Sequence, residues 1–182
     1  GAGLPEGVVN LVQGGVGTGQ LLSSTNDIDG LLFTGSSRTG HAIHKAFGGH
    51  PEKMLALEMG GNNPLIVDKV ENLKAAVYTI IQSAFISSGQ RCTCARRLIA
   101  LRSLENEALV SALVSAIERI RVGYDDNCFM GPVVSNKAAD HVLSFFAELK
   151  HGGATVLKPV ERPDAAKALL LPGLIDVTAM KT

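Results

Sequence analysis

The chain has 182 residues, of which 46% are hydrophobic and 19% charged, with 17 basic and 17 acidic side chains. This composition is typical of a globular protein, and the balanced charge argues against nucleic acid as a partner. No apolar run reaches the roughly 20 residues of a membrane-spanning helix, and the N-terminus lacks a signal-peptide pattern. We therefore expect a cytoplasmic protein without nucleic-acid or membrane partners.

Apolar runs alternate with helical segments along the first third of the chain. In chain order we predict a strand at 8–12 (VVNLV), a helical segment at 18–25, a strand at 28–33 (IDGLLF), a helix at 37–47 and a strand at 54–59 (MLALEM). This βαβα order indicates an α/β fold with a parallel sheet flanked by helices. Ligands of such sheets bind beyond the carboxyl ends of the strands.

The rest of the chain continues in the same α/β pattern. Strands are predicted at 65–67 and 96–101, and helices at 71–87, 103–120 and 135–152. The last segment, LPGLIDVTAMKT, shows neither a helix nor a cap, and both ends look cut. We therefore expect this chain to be a segment of a longer protein.

Two glycine-rich turns are candidates for cofactor binding. The first, GGVGTG at 14–19, lacks the third glycine and the acidic partner of the dinucleotide fingerprint, so we interpret it as a structural turn. The second, GSSRTG at 35–40, follows a strand and opens a helix, where free N–H groups and the helix dipole can face a phosphate. The alternative is that Ser36 or Ser37 only caps that helix.

The three cysteines, Cys92, Cys94 and Cys128, are too few for a disulfide framework and indicate a reducing compartment. Cys92 and Cys94 form a C-x-C pair without a second pair at zinc spacing, so no metal site is predicted. Cys92 lies in the polar loop SSGQRCTCA beside Arg91, and a nearby cation favours the reactive thiolate. Cys92 is therefore a candidate nucleophile, with simple packing as the alternative.

Glu58 ends the apolar run MLALE directly before Met59, Gly60 and Gly61. Two interpretations fit a carboxylate in this position. It is either a partly buried acid paired with the backbone, or a general base whose pKa is raised by apolar neighbours.

Taken together, FTGSSRTG, LEMGGNNP and SGQRCTCARR resemble, in order, three signature segments of the aldehyde dehydrogenase superfamily. The separations also resemble those of the family: 23 residues from Gly35 to Glu58 and 34 from Glu58 to Cys92. The resemblance implies that Cys92 is the nucleophile and Glu58 the general base. It implies NAD as the cofactor, with NADP as the alternative, bound at Gly35, Ser36, Ser37, Arg38, Thr39 and Gly40.

The resemblance covers the whole chain, whereas the family's full chain is far longer. It implies that residues 1–57 are the last part of a Rossmann-type NAD-binding domain and residues 58–182 the first part of the α/β catalytic domain. The family's oxyanion-hole asparagine lies upstream and its oligomerisation strand downstream. We therefore expect the isolated segment to be inactive and the full-length protein to be a homo-oligomer that acts on a small-molecule aldehyde.

Within the superfamily, GSSRTG, LEMGGNNPLIV and RCTCARR are most similar to the succinylglutamate semialdehyde dehydrogenases of arginine breakdown. This similarity implies oxidation of N-succinyl-L-glutamate 5-semialdehyde to N-succinyl-L-glutamate. Two alternatives are a dehydrogenase for another semialdehyde and a cysteine acyl-transfer enzyme that uses Cys92 and Glu58 without nicotinamide.

Overall fold

A computed structural model describes residues 3–180 of the chain, apart from the side chains of residues 104 and 105. The backbone divides into two compact units, Gly1–Gly60 and Gly61–Thr182. Each unit contains a pair of parallel strands with helices against it, as expected for an α/β fold. Within the described residues, no helix combines the length and the apolar character that crossing a membrane requires.

The first unit is a βαβ arrangement preceded by a short helix. Its elements are α1 (Val16–Ser24), β1 (Gly30–Gly35), α2 (Ser37–Phe47) and β2 (Met54–Met59). β1 and β2 pair in parallel without a register shift, from Gly30 opposite Met54 to Gly35 opposite Met59. The two strands therefore end side by side, so that residues following β1 and residues ending β2 meet at one edge of the pair.

The second unit contains a second parallel pair and a separate antiparallel pair. Its elements are β3 (Asn63–Val67), α3 (Leu73–Phe85), β4 (Ala95–Ala100), α4 (Leu104–Ile117), α5 (Asn136–His151), β5 (Thr155–Lys158) and β6 (Leu174–Asp176). β3 pairs in parallel with β4, and β5 pairs antiparallel with β6. A short 3₁₀ turn, Ile86–Gly89, and a loop connect α3 to β4.

The core of the second unit lies between α3, α4 and the β3–β4 pair. Ile80 of α3 packs with three fully buried residues of α4, Leu109, Leu113 and Ile117. These α4 positions recur every four residues and therefore share one face of the helix. Side chains of β3 and β4 cover this cluster, including Leu65 and Leu98. The core thereby fixes the strand that begins just after the Cys92 loop.

Most predicted elements are confirmed, with ends displaced by at most three residues. The strand predicted at 8–12 is wrong: residues 8 and 9 form a bend, residues 10–12 have no regular structure, and Val9 and Leu11 are 76% and 85% exposed. An apolar run needs a hydrogen-bonding neighbour to become a strand, and β1 pairs with β2 alone. The closing segment, for which no element was predicted, contains β6.

Candidate active site

Glu58 and the predicted cofactor turn lie at the same edge of the β1–β2 pair. Glu58 is directly opposite Thr34, and Gly35 is opposite Met59. The Gly60 N–H donates to the Gly35 carbonyl oxygen at 3.3 Å, which ties the two strand ends together. Glu58 itself is exposed, and its carboxylate has no hydrogen-bond partner among residues 3–180, so the interpretation as a buried acid paired with the backbone is wrong.

The GSSRTG turn opens α2 as the sequence predicts. Ser36 is the N-cap, and its Oγ accepts from the Thr39 N–H at 3.2 Å. The Thr39 hydroxyl also lies 2.9 Å from the Ser36 hydroxyl. In the described part of the chain no acceptor pairs with the N–H groups of Ser37 and Arg38, the orphan donors of a helix start. Ser36 is therefore a cap, and its turn also keeps two free donors for an anion.

Gly40 allows α2 to lie close to the end of β2. Gly40 is buried, and a Cβ built on it would collide with the Met59 side chain, with the Met59 Cγ only 2.9 Å away. The close approach holds the first turn of α2 next to the strand end that carries Glu58. Gly40 therefore serves the packing of α2 on β2, and the phosphate-binding potential of this turn rests on the free N–H groups at the helix start.

Cys92 lies on an exposed turn between the Ile86–Gly89 segment and β4, in the second unit. The Cys94 N–H donates to the Arg91 carbonyl oxygen at 3.2 Å, which closes this turn. Cys94 anchors it, since its thiol is 2% exposed and lies 3.6 Å from the Ile86 carbonyl oxygen. Within residues 3–180, the N–H groups of Cys92 and Thr93 have no partner, so they are free to bind a developing oxyanion.

The side-chain amide of Asn63 holds the same turn from β3. Its Nδ2 donates to the carbonyl oxygens of Cys92 at 2.6 Å and of Cys94 at 3.2 Å. Asn63 belongs to the LEMGGNNP segment, which was singled out in the sequence for Glu58 rather than for this residue. The only sequence feature that pointed to Asn63 was its position between two glycines and a proline in this motif. That feature does not by itself predict contact with Cys92.

The loop before Cys92 adopts a left-handed backbone. Ser87, Ser88 and Gly89 have φ values of 52°, 57° and 68°, which is uncommon for the two serines. The Ser88 hydroxyl donates to the Gly131 carbonyl oxygen at 2.8 Å. The Gln90 Oε1 accepts from the Val134 N–H at 2.8 Å. The segment 131–134 therefore holds the loop in place.

Two arginines, Arg91 and Arg97, lie on either side of Cys92 in the chain. The Arg91 Nε donates to the Ser87 hydroxyl at 3.0 Å, and the Arg97 Nε donates to the Asn62 carbonyl oxygen at 3.1 Å. Both side chains are exposed, and within residues 3–180 their terminal nitrogens have no partner.

Cys128 differs from Cys92 in its surroundings. It is half-buried, and its thiol lies 3.4 Å from the Asp125 carboxylate. Burial raises the pKa of the Cys128 thiol, and the hydrogen bond and negative charge of Asp125 raise it further. The raised pKa leaves less of the reactive thiolate at a given pH. Among the side chains that the structure describes, no group of three or more His, Cys, Asp or Glu is arranged to bind a metal.

The sequence of this chain is similar to those of known proteins. The model of the aldehyde dehydrogenase family matches residues 1–180. The chain is 54% identical to the N-succinylglutamate 5-semialdehyde dehydrogenase of Ectopseudomonas mendocina (strain ymp), over 98% of this chain and 37% of that protein. The present chain thus spans well under half the length of this relative.

Solved structures agree with the sequence match. The crystal structure of methylmalonate-semialdehyde dehydrogenase from Oceanimonas doudoroffii superposes with a TM-score of 0.87 at 26% identity, over 95% of this chain and 36% of that chain. Betaine aldehyde dehydrogenase from Staphylococcus aureus, in complex with NAD+, gives a TM-score of 0.83 at 27% identity, over 95% and 35% of the two chains. The expected α/β fold is therefore confirmed.

Proposed function

Because the chain belongs to the aldehyde dehydrogenase family, we propose that it carries the nucleophile and the general base of an enzyme that oxidises an aldehyde to a carboxylic acid. NAD is the proposed cofactor and NADP the alternative. Residues 1–57 are proposed to end the cofactor domain, and residues 58–182 to begin the catalytic domain. The whole enzyme is proposed to be a cytoplasmic homo-oligomer.

The observation that carries this proposal is the turn at Cys92. Its thiol is exposed, and the N–H groups of Cys92 and Thr93 have no partner within residues 3–180. In the proposed first step, the Cys92 thiolate adds to the aldehyde carbon, and the carbonyl π electrons move to oxygen. The free N–H groups stabilise this oxyanion as it forms, since donors aimed at a developing charge lower the barrier more than they bind the ground state.

The cofactor is proposed to bind at the start of α2. Gly35, Ser36, Ser37, Arg38, Thr39 and Gly40 form this turn. The free N–H groups of Ser37 and Arg38 suit a phosphate, and Gly40 lets the helix approach the end of β2. Nicotinamide, when bound, supplies the hydride acceptor through which the Cys92 adduct becomes a thioester.

Glu58 is proposed to act after the thioester has formed. Its carboxylate is exposed and free of protein hydrogen bonds among the described residues, so it is available to a water molecule. Glu58 takes a proton as the water oxygen attacks the thioester carbon. The carbon–sulfur bond then breaks, and Cys92 leaves as the thiolate while the carboxylic acid is released.

N-succinyl-L-glutamate 5-semialdehyde is the proposed substrate. The support is the 54% identity to a relative that bears this substrate in its name. A physical contribution comes from Arg91 and Arg97, whose exposed guanidinium groups keep their terminal nitrogens free among residues 3–180. A guanidinium can bind a substrate carboxylate bidentately and align the distant aldehyde for attack.

Steady-state kinetics of the full-length enzyme test this proposal. We expect kcat/KM for N-succinyl-L-glutamate 5-semialdehyde to exceed that for a neutral aliphatic aldehyde of similar length, with NADH formation as the measurement. Cys92→Ser should abolish NADH formation, whereas the control Cys128→Ser should retain it. Equal or higher kcat/KM for the neutral aldehyde would overturn the substrate, and activity in Cys92→Ser would overturn the nucleophile.

A further inference from the structure

One side-chain amide links β3 to the backbone around Cys92. The Asn63 Nδ2 lies 2.6 Å from the Cys92 carbonyl oxygen and 3.2 Å from the Cys94 carbonyl oxygen. Carbonyl oxygens only accept hydrogen bonds, so the NH₂ group of the amide, with its two protons, must face them. Asn63 therefore uses both of its donors on the turn that carries the nucleophile.

The backbone of β3 directs Asn63 towards this turn. The register with β4 shifts between Asn63 and Pro64, so that Asn63 is opposite Ala95 and Pro64 is opposite Arg97. Such an irregularity re-aims a side chain, and Pro64 has no N–H to lose from the ladder. Because the shift falls directly after Asn63, it separates this residue from the regular part of the strand.

Gly61 provides the space for the Asn63 amide. A Cβ built on Gly61 would lie 2.6 Å from the Asn63 Oδ1, closer than real Cβ atoms approach an oxygen. The Arg96 Nε donates to the Gly61 carbonyl oxygen at 3.0 Å and holds this backbone in place. A side chain at Gly61 would therefore displace the amide without removing it.

The hydrogen bond from Asn63 to the Cys92 carbonyl oxygen also orients the next N–H group, that of Thr93. The peptide unit is planar and trans, so the Thr93 N–H points opposite to the Cys92 carbonyl and hence away from Asn63. The neighbouring peptide unit, which carries the Cys92 N–H, is held through the Arg91 carbonyl by the Cys94 N–H at 3.2 Å. The orientations of the Cys92 and Thr93 N–H groups are thus set by hydrogen bonds to the carbonyl oxygens of the same two peptide units.

We propose that Asn63 is a positioning residue for the nucleophile: it holds the turn of Cys92 so that the thiol and the free N–H groups are preorganised for attack. This inference rests on the proposed role of Cys92. Because both donors of the Asn63 amide are used on carbonyl oxygens of the turn, it acts on the reaction through the backbone of that turn.

Two measurements on the full-length enzyme test the inference, with Asn63→Ala as the main variant. In hydrogen exchange, the Cys94 N–H should exchange about tenfold faster, because the turn opens more often without two hydrogen bonds. In rapid mixing, the burst of NADH should slow about tenfold, while KM stays within about twofold because no substrate contact is lost. Asn62→Ala is the matched control, since Asn62 is exposed and, among residues 3–180, its side chain makes no hydrogen bond.

Gly61→Ala provides a second route to the same result, and it decides the question if Asn63→Ala does not fold. It should give the faster exchange and the slower burst although Asn63 is still present. If the Cys94 N–H exchanges at the wild-type rate in the folded variants, Asn63 does not hold the turn. If exchange is faster but the NADH burst is unchanged, Asn63 holds the turn without positioning Cys92 for the reaction. A wild-type enzyme without a Cys92-dependent burst would overturn the proposed function instead, and the exchange measurement would still decide whether Asn63 holds the turn.

Discussion

Cys92, Cys94 and Cys128 are three thiols in three different environments. Cys92 is exposed on a turn, Cys94 is 2% exposed, and Cys128 is half-buried beside Asp125. Accessibility and thiolate content together determine how fast a thiol reacts. The residue predicted from sequence to be the nucleophile is thus the most accessible of the three.

We predict that iodoacetamide labels Cys92 first, Cys128 more slowly and Cys94 last, as followed by peptide mapping after short reaction times. Cys128 is slower because its raised pKa leaves less thiolate at a given pH. Asp125→Asn removes the negative charge and should therefore speed the labelling of Cys128 without changing that of Cys92. First labelling of Cys94 or Cys128 in the wild type would contradict the assignment of the nucleophile.

Glu58 is predicted to act only in the hydrolysis of the thioester. In the full-length enzyme, Glu58→Gln should preserve the burst of NADH and lower the steady rate, because an amide cannot take the proton from water. Rapid mixing separates the two phases. Glu71→Gln changes another exposed carboxylate and serves as the control. Loss of the burst with an unchanged steady rate is the result that this role does not allow.

At the scale of elements, regular periodicity in the sequence was sufficient to predict the bounds of a helix or strand that packs within its own unit. The helix predicted at 37–47 and the strand predicted at 54–59 have those bounds in the structure. Strand 8–12 failed because pairing depends on a neighbour that periodicity does not reveal. β6 was missed because it is three residues long and pairs with β5 across a register shift. The left-handed turn at 87–88 could not be predicted, since serine has no preference for that backbone.

The close packing of α2 on β2 depends on Gly40, and this gives a prediction for stability. Gly40→Ala should lower the free energy of unfolding by roughly 1–3 kcal/mol, because the added methyl collides with Met59 in a buried position. Gly19→Ala in α1 is the matched control: its Cβ would meet nothing within 4 Å, and alanine should stabilise the helix by about 0.5–1 kcal/mol. Urea unfolding measures both changes, and equal effects of the two substitutions would contradict the packing argument.

At the scale of the whole molecule, the chain carries two compact units and spans 37% of the length of its relative from Ectopseudomonas mendocina. The proposed cofactor turn and Glu58 belong to the first unit, and Cys92 to the second. The sequence motifs singled out these residues as a candidate site. They could not predict which side chains support Cys92, because Asn63 and the segment 131–134 reach it only through the tertiary structure.

The 182-residue chain alone is predicted not to oxidise aldehydes. Family resemblance places an oxyanion-hole asparagine outside it, and loss of one such donor typically slows a reaction by about 10² to 10³. The assay is NADH formation with aldehyde and NAD, and labelling of Cys92 by iodoacetamide provides a control for the folded loop. Turnover by this chain comparable to that of a full-length enzyme would contradict the expectation that further residues are needed.

The left-handed run at Ser87, Ser88 and Gly89 limits which substitutions the loop before Cys92 can accept. A left-handed backbone costs most residues roughly 1–2 kcal/mol, whereas glycine adopts it freely and asparagine or aspartate adopt it more readily than others. Valine or isoleucine at Ser87 or Ser88 would add the crowding of a branched Cβ. Random variation of these three positions should therefore return a narrow set of small or short polar residues. Laboratory evolution of a new substrate range has more freedom at positions outside this tripeptide.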